Sequence, residues 1–259
     1  MSTNSNCDVS FPEYIPTGDL NFENSLDGMT RADFGEWYTV SDTTQRQYRS
    51  TVKIEARLSN GGIAHGSGFL IGPAAVVTAA HCVYNSAFGD DCLAESITII
   101  PAANGNTANY GTANAVSFVV YNEWTDNFNS QYDWAIIRLN NNIGNNTGYL
   151  GLASRSSYNQ TSITVNGYPG IINGTGNRRM YYTTGNITGT TQYYLKSNNT
   201  CTEGGMSGGP VYTYSSSNGY TALGLLIGAS PANNPTYNVF IKFTADICNE
   251  LASYRNYSV

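Results

Sequence analysis

The residues best placed by type and spacing to do chemistry lie in Thr202-Glu203-Gly204-Gly205-Met206-Ser207-Gly208-Gly209-Pro210, where one hydroxyl stands between two glycine pairs. Glycine permits unusual backbone angles and lets the main chain come close to a ligand. A serine on such a turn, with amide N–H groups converging beside it, has the exposure and the oxyanion hole that an acyl-transfer nucleophile requires. Taken alone the string is also an ordinary turn, so the rest of the chain must supply a base and a carboxylate. Only two histidines are available, His65 and His81. His81 ends the run Ala74-Ala75-Val76-Val77-Thr78-Ala79-Ala80 and is expected to emerge at the end of a core strand. His65 follows Gly61-Gly62 without such a scaffold and reads as a surface or site-rim residue. Asp133 stands where a polar loop enters the apolar Trp134-Ala135-Ile136-Ile137-Arg138-Leu139. A carboxylate there must find donors, whether a catalytic partner or nearby amides, because burying it bare is costly.

His81, Asp133 and Ser207 follow the chymotrypsin-type order of base, carboxylate and nucleophile. Serine is a weak nucleophile at neutral pH, so it needs a base of intermediate pKa that takes its proton and returns it to the leaving amine. The base in turn needs a buried carboxylate to fix its tautomer and stabilise the imidazolium.

The elements that must hold these groups are short strands. Among 259 residues 41% are hydrophobic and only 12% charged, with 27 glycines and 20 tyrosines, a profile of pleated sheet broken by many turns. Strand patterns recur at Trp37–Val40, Ser50–Leu58, Gly68–Ile71, Ser96–Ile100, Ala115–Tyr121, Tyr132–Leu139, Ser162–Gly170, Arg179–Thr183, Gln192–Lys196, Val211–Tyr214, Ala222–Gly228 and Asn238–Ile241. The Asn- and Gly-rich stretch 140–149 divides this body into two halves of similar content. Thr244 is an N-cap candidate for a final helix in which Ile247, Leu251 and Tyr254 recur on one face. Residues 1–28 lack periodicity and read as a pro-segment or a surface strap.

With a formal net charge of −6, the chain carries no basic footprint for nucleic acid or an anionic membrane, and its longest apolar runs fall far short of a membrane span. The start lacks the features of a signal peptide. Sparse charge, five cysteines and sequons at Asn145, Asn159, Asn173, Asn186, Asn198 and Asn256 favour a secreted protein from which a signal has been removed. No spacing of cysteine and histidine suggests zinc, and Asp90-Asp91 is too little for calcium.

The stretches Thr78-Ala79-Ala80-His81-Cys82, Tyr132-Asp133-Trp134, Asn166-Gly167-Tyr168-Pro169-Gly170 and Gly204–Val211 resemble the chymotrypsin-like serine proteases, most closely the glutamyl endopeptidase branch. The likeness extends through 38–54 and spans roughly residues 30–255. It implies an all-β fold of two six-stranded antiparallel β-barrels with a C-terminal α-helix. The expected divisions are an extension or pro-segment over 1–28, a first barrel over 29–143, a second over 144–243, and a helix and tail over 244–259. It implies a secreted, monomeric zymogen-type endopeptidase without a cofactor, acting on protein or peptide substrates. His81, Asp133 and Ser207 would form the triad, the N–H groups of Gly205 and Ser207 the oxyanion hole, and Thr202, Glu203, Leu226, Ile227 and Gly228 the substrate-binding wall.

Two departures from that family qualify the expectation. Met206 stands where trypsin relatives carry an acid that receives a new N-terminal amine, so that mode of activation is absent. Leu226 aligns with the histidine on which glutamate preference depends, so a preference for apolar or uncharged side chains before the scissile bond is expected. Glu203 would favour basic residues if it pointed inward. Cys82 and Cys92 would close a short loop beside His81, with Cys7, Cys201 and Cys248 leaving one thiol over. A catalytically silent binding or adhesion protein on the same barrels is the alternative from another class, and it predicts a broken triad. An esterase would want a helix after the serine, and an HtrA-like protease a further domain.

Overall fold

A computed structural model of the chain describes residues 8–16, 36–88, 92–170, 179–230 and 236–259. Six strands of the first half close into a barrel in the order Ala135–Leu139, Ala75–Thr78, Ile63–Gly72, Thr51–Arg57, Ser96–Pro101, Ala113–Val119, all neighbours antiparallel. Its interior holds Val52, Ile54, Leu70, Val76, Ile99, Ile137 and Leu139, all shielded from solvent. The alternate residues Phe69, Ile71, Val77 and Ile136 point outward, yet they too are buried, in a second core shared with Leu152, Leu225, Ile241 and Phe243. These strands are therefore apolar on both faces, which is why the run before His81 shows no polar alternation. Each such side chain contributes roughly 1.5–3 kcal/mol by leaving water.

The second half forms a ten-stranded sheet. Its path runs from Gly189–Thr190 through Tyr194–Ser197, Tyr237–Lys242, Gly219–Ser230, Pro210–Ser215, Ser162–Gly167 and Tyr181–Asn186 to Tyr38–Thr39. The strand Gly151–Ser154 pairs in parallel with Gly219–Ser230 off this path. The expected all-β, chymotrypsin-like architecture is thus present, with its C-terminal helix at Ala245–Tyr254. The Thr244 hydroxyl accepts the Ile247 N–H at 3.3 Å, and Leu251 and Cys248 bury the helix face against the shared core. Among the described residues no helix is long and apolar enough to cross a membrane.

Residues 8–16 are a strap across the second half; residues 1–7 and 17–28 of the expected extension lie outside the described residues. Val9–Phe11 pairs antiparallel with Gly151–Ser154. Glu13, its side chain 5% exposed, receives two nitrogens of Arg46 at 2.7–3.1 Å and the Tyr220 N–H at 2.9 Å. Tyr14 stacks on Tyr149 at 4.6 Å, and the Arg255 guanidinium donates to the carbonyls of Pro12 and Leu150.

Candidate active site

The apolar strand Ala75–Thr78 runs into a single 3-10 turn, Ala80–Cys82, in which Ala80 and Cys82 stay buried and the His81 side chain emerges, 24% exposed. A second 3-10 turn, Ser130–Tyr132, delivers Asp133 at its end. The two meet twice. The Asp133 carboxylate takes the His81 backbone N–H at Oδ1, 2.9 Å, and the imidazole Nδ1 at Oδ2, 2.8 Å. With the carboxylate ionised, Nδ1 carries the hydrogen and Nε2 is left as the basic nitrogen. Burial alone would push the imidazole down, but the Cys82 sulfur and the Asp133 carboxylate outweigh it and hold His81 well above its ordinary pKa. The Trp124 ring lies 6.4 Å from the imidazole, anchored by its indole N–H on the Tyr84 carbonyl. His65 sits elsewhere, within Ile63–Gly72 and opposite Glu55.

Ser207 is the second residue of the second of two consecutive turns. Met206 N–H closes the first on the Glu203 carbonyl at 3.0 Å, and Gly209 N–H closes the second on the Met206 carbonyl at 2.9 Å. Each has a glycine at its third position with positive φ, Gly205 at 97° and Gly208 at 84°, angles that disfavour side chains. At Gly208 a Cβ would also lie 2.1 Å from the Ser67 carbonyl, so only glycine fits. Met206 is buried in the apolar core against Gly167, which leaves the Ser207 loop no acidic partner at this position.

The loop is held from both halves. The Gly204 carbonyl accepts the Gly170 N–H at 2.7 Å. The Gly205 carbonyl accepts the Ser67 hydroxyl at 2.8 Å, and the Ser207 carbonyl accepts the Ser67 N–H at 2.9 Å. Cys82, next to His81, puts its sulfur 3.6 Å from the same Ser207 carbonyl. Ser67 is a residue that sequence reading missed: a lone serine between Gly66 and Gly68 carries no signal of reaching a loop 138 residues away.

Of the expected wall, Leu226 packs its side chain into the core with Met206, Leu223 and Phe240, while its backbone exchanges hydrogen bonds with Gly208 and Gly209. The Thr202 hydroxyl donates to Asn238 Oδ1 at 2.6 Å, and Asn238 in turn donates to Thr200. Glu203 accepts the Gly204 N–H of its own loop at 3.0 Å. Ile227 and Gly228 line a separate cavity of about 380 Å³ together with Ser130, Tyr194, Lys196 and Tyr237. Those last four carried no sequence signal.

The expected Cys82–Cys92 bridge is not formed: Cys82, Cys92, Cys201 and Cys248 are free thiols, and Cys7 lies outside the described residues. The reason is direction. The Cys82 sulfur turns toward Gly66, whose ideal Cβ position lies 2.7 Å from it, and toward Ser207, leaving Cys92 to accept the Asn85 N–H at its carbonyl. Among the described residues no group of three or more His, Cys, Asp or Glu side chains could hold a metal ion.

Residues 40–247 match the family described as Trypsin. The chain is 33% identical over 221 residues to an extracellular metalloprotease of Bacillus subtilis, and 31% identical over 222 residues to a glutamyl endopeptidase of Bacillus licheniformis. Each match takes in 84% of this chain and about two thirds of the relative, 67% and 66%. A solved structure described as a Glu endopeptidase in complex with MPD superposes with a TM-score of 0.73 at 28% identity, covering 86% of this chain and 97% of that one. The protease Anisep from Arthrobacter nicotinovorans shares the fold, with a TM-score of 0.66 at 22% identity over 84% of this chain and 100% of its own.

Proposed function

Since the chain belongs to the trypsin family of serine proteases, we propose that it is a secreted endopeptidase that hydrolyses peptide bonds through an acyl-enzyme on Ser207. The observation that carries this reading is the double hold of Asp133 on His81, at 2.8 and 2.9 Å, beside a loop in which glycine geometry presents a single serine. His81 Nε2 takes the Ser207 hydroxyl proton as Oγ bonds to the substrate carbonyl carbon. The N–H groups of Gly205 and Ser207 receive the oxyanion. The proton then passes from Nε2 to the departing amine as the C–N bond breaks, and a water repeats the sequence to release the acid and regenerate Ser207.

The residue before the scissile bond is apolar or uncharged in this reading. Thr202 spends its hydroxyl proton on Asn238, Leu226 is apolar and turned into the core, and a carboxylate facing them would lose its water without gaining a cation. Residues 8–16 stay with the body as a structural strap, whatever processing precedes residue 36.

A fluorophosphonate probe tests the nucleophile. Labelling of the folded protein that disappears in Ser207→Ala supports the peptidase. Folded protein that takes no label instead supports a silent binding protein on the same fold.

A further inference from the structure

The strand Gly219–Ser230 leaves its partner Pro210–Ser215 at the pair Pro210↔Leu225. Leu226 is then held by the nucleophile loop itself, its N–H on the Gly209 carbonyl at 2.9 Å and its carbonyl on the Gly208 N–H at 2.7 Å. Past that point the strand pairs only with Tyr237–Lys242, at Gly228↔Val239 and Ser230↔Tyr237. Among the described residues, its other edge has no strand partner. Main-chain groups on a free edge accept an extended peptide as an added strand. The strand runs away from Ser207 as it goes from Leu226 to Ser230, so a peptide added antiparallel lays over it the residues that precede the scissile bond.

Those residues meet the cavity of about 380 Å³ lined by Ile227 and Gly228. It lies between the two halves of the molecule, where Ser130, three residues before Asp133, shares a 2.8 Å hydrogen bond with the Tyr194 hydroxyl. Among the described residues Lys196 is the one charged residue in its lining. Lys196 pairs with Val239, which shares a sheet face with Tyr237, while Asn238 and the Thr202 hydroxyl it accepts lie on the opposite face. The ammonium group is therefore separated by the sheet from the Thr202 side. Its Nζ sits 4.5 Å from the centre of the Tyr237 ring, a cation–π contact that holds the charge at the cavity wall. The Tyr237 hydroxyl responds, its pKa lowered by a hydrogen bond with Ser230 and then by Lys196. The intervening residues 231–235, Pro-Ala-Asn-Asn-Pro, contribute no charge of their own.

We propose that this cavity is a subsite for a carboxylate-bearing substrate side chain a few residues upstream of the scissile bond, with Lys196 as its specificity-determining residue. The inference rests on the reading of Ser207 as a peptidase nucleophile. Tyr194 and Ile227 cover the methylene stem of such a side chain, and the ammonium group meets its carboxylate. The charge discrimination thus falls on a residue remote from the cleaved bond, while the residue next to that bond stays neutral.

Internally quenched peptides in matched pairs, Glu against Gln at each upstream position in turn, test this on the full chain at low salt. The expected result is a three- to fivefold higher kcat/KM for Glu at one position, about what one partly exposed ion pair supplies. The ratio falls toward one as salt rises, collapses in Lys196→Gln, and turns in favour of a Lys-containing peptide in Lys196→Glu. Equal cleavage of Glu and Gln peptides at every upstream position, a ratio indifferent to salt, or a preference retained in Lys196→Gln overturns the proposal. The salt titration uses unaltered protein, so the test survives a variant that does not fold. Fluorophosphonate labelling separates the two levels: labelled enzyme without a Glu preference overturns the subsite alone, whereas unlabelled folded protein overturns the peptidase reading and the subsite with it.

Discussion

Ser67 donates its hydroxyl proton to the carbonyl of Gly205 at 2.8 Å, from a barrel strand of the first half to the nucleophile loop of the second. The same oxygen accepts the Tyr168 N–H at 2.9 Å, and the Ser67 N–H takes the Ser207 carbonyl. One buried residue thereby fixes the peptides Gly205–Met206 and Ser207–Gly208, which follow the Gly205 and Ser207 N–H groups and limit how far those groups can turn. Ser67→Ala leaves a buried amide and a carbonyl without partners, a cost of about 1–3 kcal/mol in stability. It is expected to lower kcat about tenfold or more with little change in KM, because oxyanion donors act on the transition state. Chemical denaturation and steady-state kinetics measure the two effects separately.

Asp133→Asn keeps the size of the side chain but removes the charge that fixes the His81 tautomer. Peptide hydrolysis is expected to fall on the order of 10³–10⁴-fold at neutral pH, with residual turnover from the oxyanion hole. A fall of less than tenfold would show that Asp133 does no more than cap the His81 amide.

The raised pKa of His81 has two consequences of opposite sign. Catalysis needs the neutral imidazole, so kcat/KM is expected to climb with pH through a value above the ordinary 6.5 of histidine. The stabilisation from His81 behaves in reverse: it is complete below the unfolded pKa and is lost as pH rises through the folded one. The stability difference between the wild type and His81→Gln therefore shrinks as pH increases. Denaturation curves at matched pH values, set beside the pH–rate profile, check both directions.

Gly66→Cys is expected to form a disulfide with Cys82. The new Cβ would stand 2.7 Å from the Cys82 sulfur and 3.3 Å from its Cβ, a few tenths of an ångström inside the usual spacing. Closing a loop of about 15 residues adds about 3 kcal/mol in the chain-entropy account, less any strain. Mass spectrometry of the unreduced protein reads the bond, and a free thiol at position 66 in the folded variant would contradict it.

Much of the fold was legible because the strands before His81 and through Ile136 are apolar on both faces, and because Thr244 begins a helix with a clean buried stripe. The local settings of His81 and Asp133 were legible for the same reason, as polar residues at the ends of apolar elements. Side-chain direction was not. The pairing register shifts between Leu226 and Gly228, and a bulge there breaks the two-residue alternation by which a wall could be counted along the strand. Leu226 consequently packs inward and Ile227 lines the cavity. Cys82 could not be assigned from its spacing to Cys92, since short separation along the chain says nothing about which way a sulfur points in a 3-10 turn. Ser67 and Lys196 act through partners brought by register across strands, and neither lies in a motif.

Glu13→Gln tests the strap. Its carboxylate answers Arg46 and the Tyr220 N–H together while only 5% exposed, so the neutral amide is expected to cost about 2–3 kcal/mol. Thermal unfolding, with Arg46→Met alongside, separates lost charge pairing from lost packing.

The strap also fixes an order of events in biosynthesis. Residues 8–16 leave the ribosome before their partners: Tyr220 and Arg255, which donate to Glu13 and Pro12, are made 207 and 243 residues later. Until Tyr220 has been made Glu13 has no N–H of that residue to meet, and contacts of such long separation close slowly. The strap is thus made well before the strand and helix that fasten it, and its docking reports that Tyr220 and Arg255 are in place.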